Sequence, residues 1–274
     1  MTVADYHVID CHHHVGSLEA QGFSFGSADD RDPTVVDLER RVSAMNRQGV
    51  DQAILIPGHG YLRPDGVADT RRINDGIAEY RDRAVERFPA AVGIAEPLHG
   101  AAGIAELKRM GSELGLVGLS VHTRFQGVQT DSPLVLALVA AAAELGLVPF
   151  IHAVEGVPDE AIWRVQQVAR SVPDTPLVVL DAFSGPEHAR QAVIVGQETP
   201  NLYFDTSLAH HFVFVDAMIR AVGPDRLIFG TDYYSMMPGP QPSVVLDELV
   251  AYELPDRDKA AILSDNLRGV LGLT

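Results

Sequence analysis

With one cysteine in 274 residues, Cys11, the chain cannot close an internal disulfide, which suits a reducing compartment. Clusters of basic residues are also missing, and at a net charge of −16 the chain offers little to nucleic-acid phosphate. Small molecules, or a second copy of the chain, are therefore the expected partners. Met1 to Tyr6 lack the basic stretch and apolar core of a secretory signal, so a cytoplasmic location is expected. Pro133 to Val148 is apolar, but Glu144 and Gly146 interrupt it and it is too short to cross a bilayer, so no membrane association is expected. What the chain does have is 46% hydrophobic residues, enough for a substantial core.

The most informative stretch is Val8-Ile9-Asp10-Cys11-His12-His13-His14. In a β-strand alternate side chains share a face, so His12 and His14 point one way and His13 the other. Their β-carbons stand about 7 Å apart, close enough for both rings to lean onto one ion about 2 Å from each nitrogen. The competing reading is a histidine-rich tag remnant, but a tag would not continue a Val-Ile-Asp strand. By the same alternation Cys11 faces away from the two histidines and is expected to pack.

Gly16 to Arg31 is a long Gly-, Ser- and Asp-rich loop with the character of a lid. Beyond it, Asp32-Pro33 opens a helix that Gly49 closes. Short apolar runs then alternate with helix-period segments: Ala53 to Ile56, Val92 to Ala95, Val117 to His122, Val148 to Ala153, Leu177 to Leu180, Leu202 to Phe204 and Leu227 to Phe229. Helices are expected over about 71–88, 101–114, 133–145 and 161–169, from Pro186, and over 211–222. Eight such β/α units are the size of a (β/α)₈ TIM barrel, here one α/β domain over residues 1–274. A doubly wound open sheet would place a Gly-rich phosphate turn after the first strand, where this chain has three histidines.

In a barrel the strand ends converge on one mouth, and these strands end in His12 and His14, His122, His152, Asp181, Asp205 and Asp232. Each has a second reading. Asp205, before Thr206 and Ser207, could simply cap the next helix, and His152 could be a satisfied core histidine. Phe23, Phe25, Tyr61, Tyr233, Tyr234, Met236 and Met237 fall in segments that should ring the mouth, with core packing as the rival. Arg63 and Arg124, just past strands two and four, could hold a substrate carboxylate or phosphate, or could be solvated loop residues.

Four segments carry a family resemblance. Asp10-Cys11-His12-His13-His14, Pro149-Phe150-Ile151-His152, Leu227-Ile228-Phe229-Gly230-Thr231-Asp232-Tyr233 and the terminal Ile262 to Leu273 together resemble the amidohydrolase-2 branch of the amidohydrolase superfamily, metal-dependent barrel hydrolases and decarboxylases. The resemblance implies a divalent metal on His12, His14 and His152, with Asp232 as a further ligand or as the base for a bound water. Zinc is expected first, with manganese and iron also compatible with such donors. One position departs from the pattern: where relatives often carry a histidine before Gly-Gly after strand six, this chain has Asp181-Ala182-Phe183-Ser184-Gly185. Strand four, Leu119-Ser120-Val121-His122, also lacks the lysine that some binuclear relatives modify. One ion is therefore favoured, a second being available only through His122 and Asp181.

Three neutral imidazoles on Zn²⁺ lower the pKa of bound water to about 7. The expected reaction is thus hydrolysis of an ester, lactone, thioester or amide, with Asp232 moving the proton and His122 and Asp181 assisting. The alternative is decarboxylation of an aromatic or unsaturated acid, and a third reading is a catalytically silent binding barrel. Arg63, Arg124 and Tyr233 are the candidate substrate contacts. A homodimer is expected, since barrels of this branch commonly pair.

Overall fold

A computed structural model of the protein describes residues 2–16, 32–61, 63–235 and 244–273. The N-terminal part runs β1 (Ile9–Val15), α1 (Pro33–Gln48), β2 (Gln52–Pro57), α2 (Val67–Asp82), β3 (Ala90–Ala91), β4 (Gly93–Ile94) and α3 (Ala101–Ser112). The middle runs β5 (Gly118–Val121), the single turn α4 (Thr123–Gln126), α5 (Pro133–Glu144), β6 (Val148–His152), α6 (Ile162–Ser171), β7 (Leu177–Leu180) and α7 (Pro186–Glu198). The chain finishes with β8 (Leu202–Asp205), α8 (Phe212–Ala221), β9 (Leu227–Ile228), β10 (Tyr233–Tyr234), α9 (Val244–Ala251), α10 (Asp256–Ala260) and α11 (Asn266–Leu271).

Every strand pairing is parallel, in the orders β10-β1-β2-β3 and β4-β5-β6-β7-β8-β9. Two junctions join these ribbons. Val92, between β3 and β4, donates its N–H to Leu55 O at 2.9 Å, so β3 and β4 form one interrupted stave. Cys11 of β1 donates to Phe229 O, just past β9, at 3.0 Å and closes the ring. Among the described residues the sheet is therefore an eight-staved (β/α)₈ barrel, with β10 an added edge beyond β1. No helix in the described residues is long and apolar enough to cross a membrane.

The local chemistry explains these elements. Asp32 caps α1 by accepting from Thr34 N–H at 2.9 Å, Pro33 fills the first turn, and Gly49 ends the helix at φ 75°. The strands are apolar on both faces because both are buried. Ile9, Ile54, Ile56, Val92, Phe150, Val178, Leu180 and Ile228 fill the barrel interior, whereas Leu55, Leu119, Val121, Ile151 and Val179 meet the helices. Gly118 is required by proximity: a β-carbon there would lie 2.4 Å from Val148 O. Two expected boundaries shift. The second helix begins at Val67 and stops at Asp82, with turns carrying the chain to Phe88 and Pro89, and the third stave begins at Ala90.

The first stave departs from simple alternation, and the site depends on that departure. Ile9 and Asp10 pair with Gln52 and Ala53, while His13 and His14 pair with Leu55 and Ile56, leaving Cys11 and His12 opposite Ile54 alone. This is a β-bulge, in which two consecutive residues occupy one position of the partner strand. Cys11 therefore does not turn away from the histidine face as expected. It joins Ile9 and Ile54 in the barrel interior, directly before the histidines.

Candidate metal centre

His12 and His14 both face the interior, and His13 faces out, with its Nε2 3.0 Å from Asp10 Oδ2. His152, at the end of β6, joins the first two. The Nε2 atoms of His12 and His14 lie 2.9 Å apart, and those of His14 and His152 3.4 Å apart. Asp232 Oδ1 is 3.5 Å from His12 Nε2 and 3.4 Å from His14 Nε2.

The other nitrogen of each ring is already engaged. His14 Nδ1 donates to Pro57 O at 3.2 Å and His152 Nδ1 to Val121 O at 3.0 Å, since a carbonyl can only accept. His12 Nδ1 faces the fully buried Asp205 Oδ2 at 2.8 Å. The three Nε2 atoms are left facing one another, and a cation between them would take the place of the proton that His12 Nε2 shares with His14 Nε2 at 2.9 Å. Donor atoms about 2.1 Å from a common centre and about 90–110° apart stand roughly 3.0–3.4 Å from each other. The observed separations fit that spacing, and carboxylate or carbonyl partners on Nδ1 are the usual support for ligating histidines.

The charges also call for a cation. Burial disfavours a charged His12, but Asp205, Asp181 and Asp232 outweigh it and push the ring up to about 10. Burial, reinforced by repulsion from His12 at His14 and from His122 and then His12 at His152, holds both rings well below the usual imidazole range. Burial and Asp205 raise Asp181 to about 6 against the pull of His12. Burial and Asp181 together push Asp232 well up. Asp181 and Asp232 also sit at φ 66° and 55°, a region that costs a non-glycine residue about 1 kcal/mol or more and that clusters at functional sites. Two sets of side chains in the described residues could hold an ion: His12, His14 and His152, and His12, Asp181 and Asp232.

A second cation through His122 and Asp181 does not match this arrangement. His122 turns its Nδ1 to Glu160 Oε1 at 2.6 Å, and Asp181 Oδ1 accepts from Ser207 Oγ at 2.8 Å. Asp205, left open between a strand-end residue that holds metal or moves protons and a helix cap, stands behind His12 instead: its Oδ2 faces His12 Nδ1, while its Oδ1 accepts from Asp181 N–H. Tyr233 is corrected as a substrate contact. It is buried against His13, ring centroids 4.9 Å apart, beneath the Arg41 guanidinium, on the outward side of β1. The tyrosine at the site is its neighbour Tyr234, stacked on His14 at 4.6 Å.

Arg63 pairs with Glu96 at 3.0 Å, and Arg124 is exposed over Phe125. After burial and His122, the charges of Arg63 and Arg124 contribute to lowering His59. Tyr61 is exposed on Phe125. Phe23, Phe25, Met236 and Met237 lie outside the described residues.

Several residues at the site were not singled out from the sequence pattern. His59 is fully buried, its Nε2 2.9 Å from Ser120 Oγ, and Glu160 is fully buried beside His122. His59 follows a strand end in Gly58-His59-Gly60 and could have been flagged on that ground. Glu160 comes from a turn and could not. Behind the ligands, fully buried Arg41 donates to His14 O at 2.6 Å and pairs with Asp37, bracing β1 from α1.

A family profile described as amidohydrolase matches residues 9–273. The chain belongs to the amidohydrolase family. No curated protein sequence matches it. Among solved structures, it resembles the 5-carboxyvanillate decarboxylase of Sphingomonas paucimobilis with a TM-score of 0.73 and 16% identity, over 98% of this chain and 100% of that one. The 2,6-dihydroxybenzoate decarboxylase of Rhizobium gives 0.73 and 18%, over 98% of each chain. A dihydroxybenzoic acid decarboxylase of Polaromonas sp. JS666, with bound manganese, gives 0.73 and 18%, over 98% of this chain and 97% of that one. At these identities the likeness carries the barrel fold. With the histidine–aspartate cluster, family membership supports a metal-dependent enzyme using a divalent ion.

Proposed function

We propose that this amidohydrolase-family barrel is a metal-dependent decarboxylase of a small aromatic carboxylic acid, with His12, His14, His152 and Asp232 holding the divalent ion. The observation that carries this reading is the polarity of the mouth. Of the three aspartates at the cluster, Asp205 is sealed, Asp181 is 5% exposed and bonded to Ser207, and Asp232 alone is open, at 20%. Near the cluster, the His59 and His122 rings lie 5.3 Å apart, and Arg63 and Arg124 bring positive charge close enough to lower His59. The two guanidinium charges draw an anionic substrate toward the mouth.

When bound, a divalent cation supplies a fixed positive charge that withdraws electron density from substrate oxygens. The side chains account for the rest. Loss of CO₂ breaks the carbon–carboxylate bond and leaves its electron pair on the ring carbon, which must gain a proton. Asp232 Oδ is the open carboxyl beside the ligand nitrogens and holds that proton. Asp205 keeps His12 oriented, and Arg124 or Arg63 neutralises the substrate carboxylate before it leaves. Hydrolysis, the first expectation from the sequence, requires one group to act as base and then as acid at a leaving group. Asp232 can fill both duties, so the replacement of the stave-six histidine by a hydrogen-bonded Asp181 does not separate the two reactions. The solved relatives named above, decarboxylases of hydroxylated aromatic acids, support the decarboxylase reading.

The test is to load the protein with manganese or zinc and offer it hydroxylated benzoic acids beside a panel of esters, lactones and amides. CO₂ release from an acid, abolished by a chelator and restored by metal, is the expected result. Acyl cleavage without CO₂ release would return the assignment to hydrolysis.

A further inference from the structure

His122 has no duty toward the ion, yet it is one of the most constrained side chains at the mouth. Its ring lies parallel to His152, centroids 4.0 Å apart and planes 3° apart. Phe125 closes one edge at 4.5 Å and His59 another at 5.3 Å. Glu160, fully buried, reaches from the turn before α6 and accepts from His122 Nδ1–H at 2.6 Å, and the same Oε1 accepts from Arg124 N–H at 2.9 Å. A carboxylate on Nδ1 fixes the tautomer, so Nε2 carries a lone pair. That nitrogen has no hydrogen-bond partner among the described residues. The His122 side chain, at a strand end on the mouth, keeps 6% exposure. A rigid acceptor aimed into a binding site, held by a carboxylate buried for that purpose, selects a donor.

We propose that His122, oriented by Glu160, is a specificity-determining residue that accepts a hydrogen bond from a hydroxyl group on the substrate, which narrows the substrate class to hydroxylated acids. The substrate class rests on the decarboxylase reading, whereas the recognition of a hydroxyl donor does not. A ligand lacking the hydroxyl leaves Nε2 dry and unpaired in the complex. Such a loss weakens binding by about 10- to 100-fold.

The experiment measures, by calorimetry on manganese-loaded protein, the affinities of 2,6-dihydroxybenzoate and 2,6-difluorobenzoate. Fluorine approximates the hydroxyl in size and cannot donate. The ratio of the two affinities is compared between wild type, His122→Phe and the double variant His122→Phe/Glu160→Leu. The double variant removes both partners of the buried bond, so a folding defect of the single variant does not decide the outcome. Thermal melting and metal content are recorded for each. The expected result is a wild-type preference for the hydroxylated acid that falls by about tenfold or more in both variants. A preference unchanged within about twofold in the variants, or absent from wild type, overturns the inference. CO₂ release is scored separately. Without it, a preference that depends on His122 leaves the recognition role standing while the decarboxylase reading falls; with it, an unchanged preference leaves the reaction standing and removes the role.

Discussion

Replacing Asp205 with asparagine should disable His12 as a ligand without emptying the space behind it. Asp205 Oδ1 accepts from Asp181 N–H at 3.0 Å and Ser207 N–H at 3.3 Å and lies 2.7 Å from Ser207 Oγ, whereas Oδ2 faces only His12 Nδ1, at 2.8 Å. An asparagine will satisfy the donor-rich side with its carbonyl oxygen and so turn its NH₂ toward His12. The ring must then accept at Nδ1 and carry its proton at Nε2, the atom that faces the ion. Loss of a partner behind a metal ligand ordinarily costs 10- to 100-fold in affinity, and the wrong tautomer places D205N at the upper end, about 100-fold or ~2.7 kcal/mol. Asp205→Ala, with no NH₂ to impose the tautomer, should bind metal more tightly than D205N while being the less stable protein. Competition with a chromophoric chelator gives the affinities, and urea unfolding of the metal-free proteins gives the stabilities. If D205N binds zinc or manganese as tightly as wild type, or more tightly than D205A, the tautomer argument is wrong.

Three other outcomes follow from the same geometry. His12→Ala, His14→Ala and His152→Ala should each be purified with less than about a tenth of the wild-type metal content by elemental analysis, because each removes one of three converging nitrogens. Phe150→Ala should lower the stability by about 3–5 kcal/mol in urea unfolding, since Phe150 is wholly buried in the barrel interior on the strand that carries His152. Burial by itself would raise the Glu106 carboxyl, but hydrogen bonds from Arg109 and Asn74 outweigh it and hold its pKa low. A carboxyl lowered by folding adds stability above its unfolded pKa of about 4.3 and loses it as the pH falls through the folded value. Glu106→Gln should therefore be less stable than wild type at pH 7, and the gap should narrow on acidification below about pH 4, read from urea midpoints.

The barrel and half of the centre were legible in the residues. Apolar runs buried on both faces and set between helix-period segments admit few architectures, and Asp32-Pro33 with Gly49 marked α1 to within a residue because capping chemistry is local. That His12, His14, His122, His152, Asp181, Asp205 and Asp232 stand at one mouth was legible because strand ends in such a barrel converge, whereas the choice of His12, His14, His152 and Asp232 as the metal set came from the resemblance to the amidohydrolase-2 branch. Only the tertiary structure decided the remainder. Strict alternation put Cys11 opposite the histidines, and a bulge set by pairing with β2 brought it inside. Tyr233 and Tyr234 are adjacent and chemically alike, and pairing of β10 with β1 alone determined which one lies on His14. Glu160 stands 38 residues from His122, and no periodicity links a turn carboxylate to a strand-end imidazole. Local sequence sets backbone preference and burial pattern, but which side chains face one another across a barrel depends on register and loop path, which are settled by the packing of the whole chain.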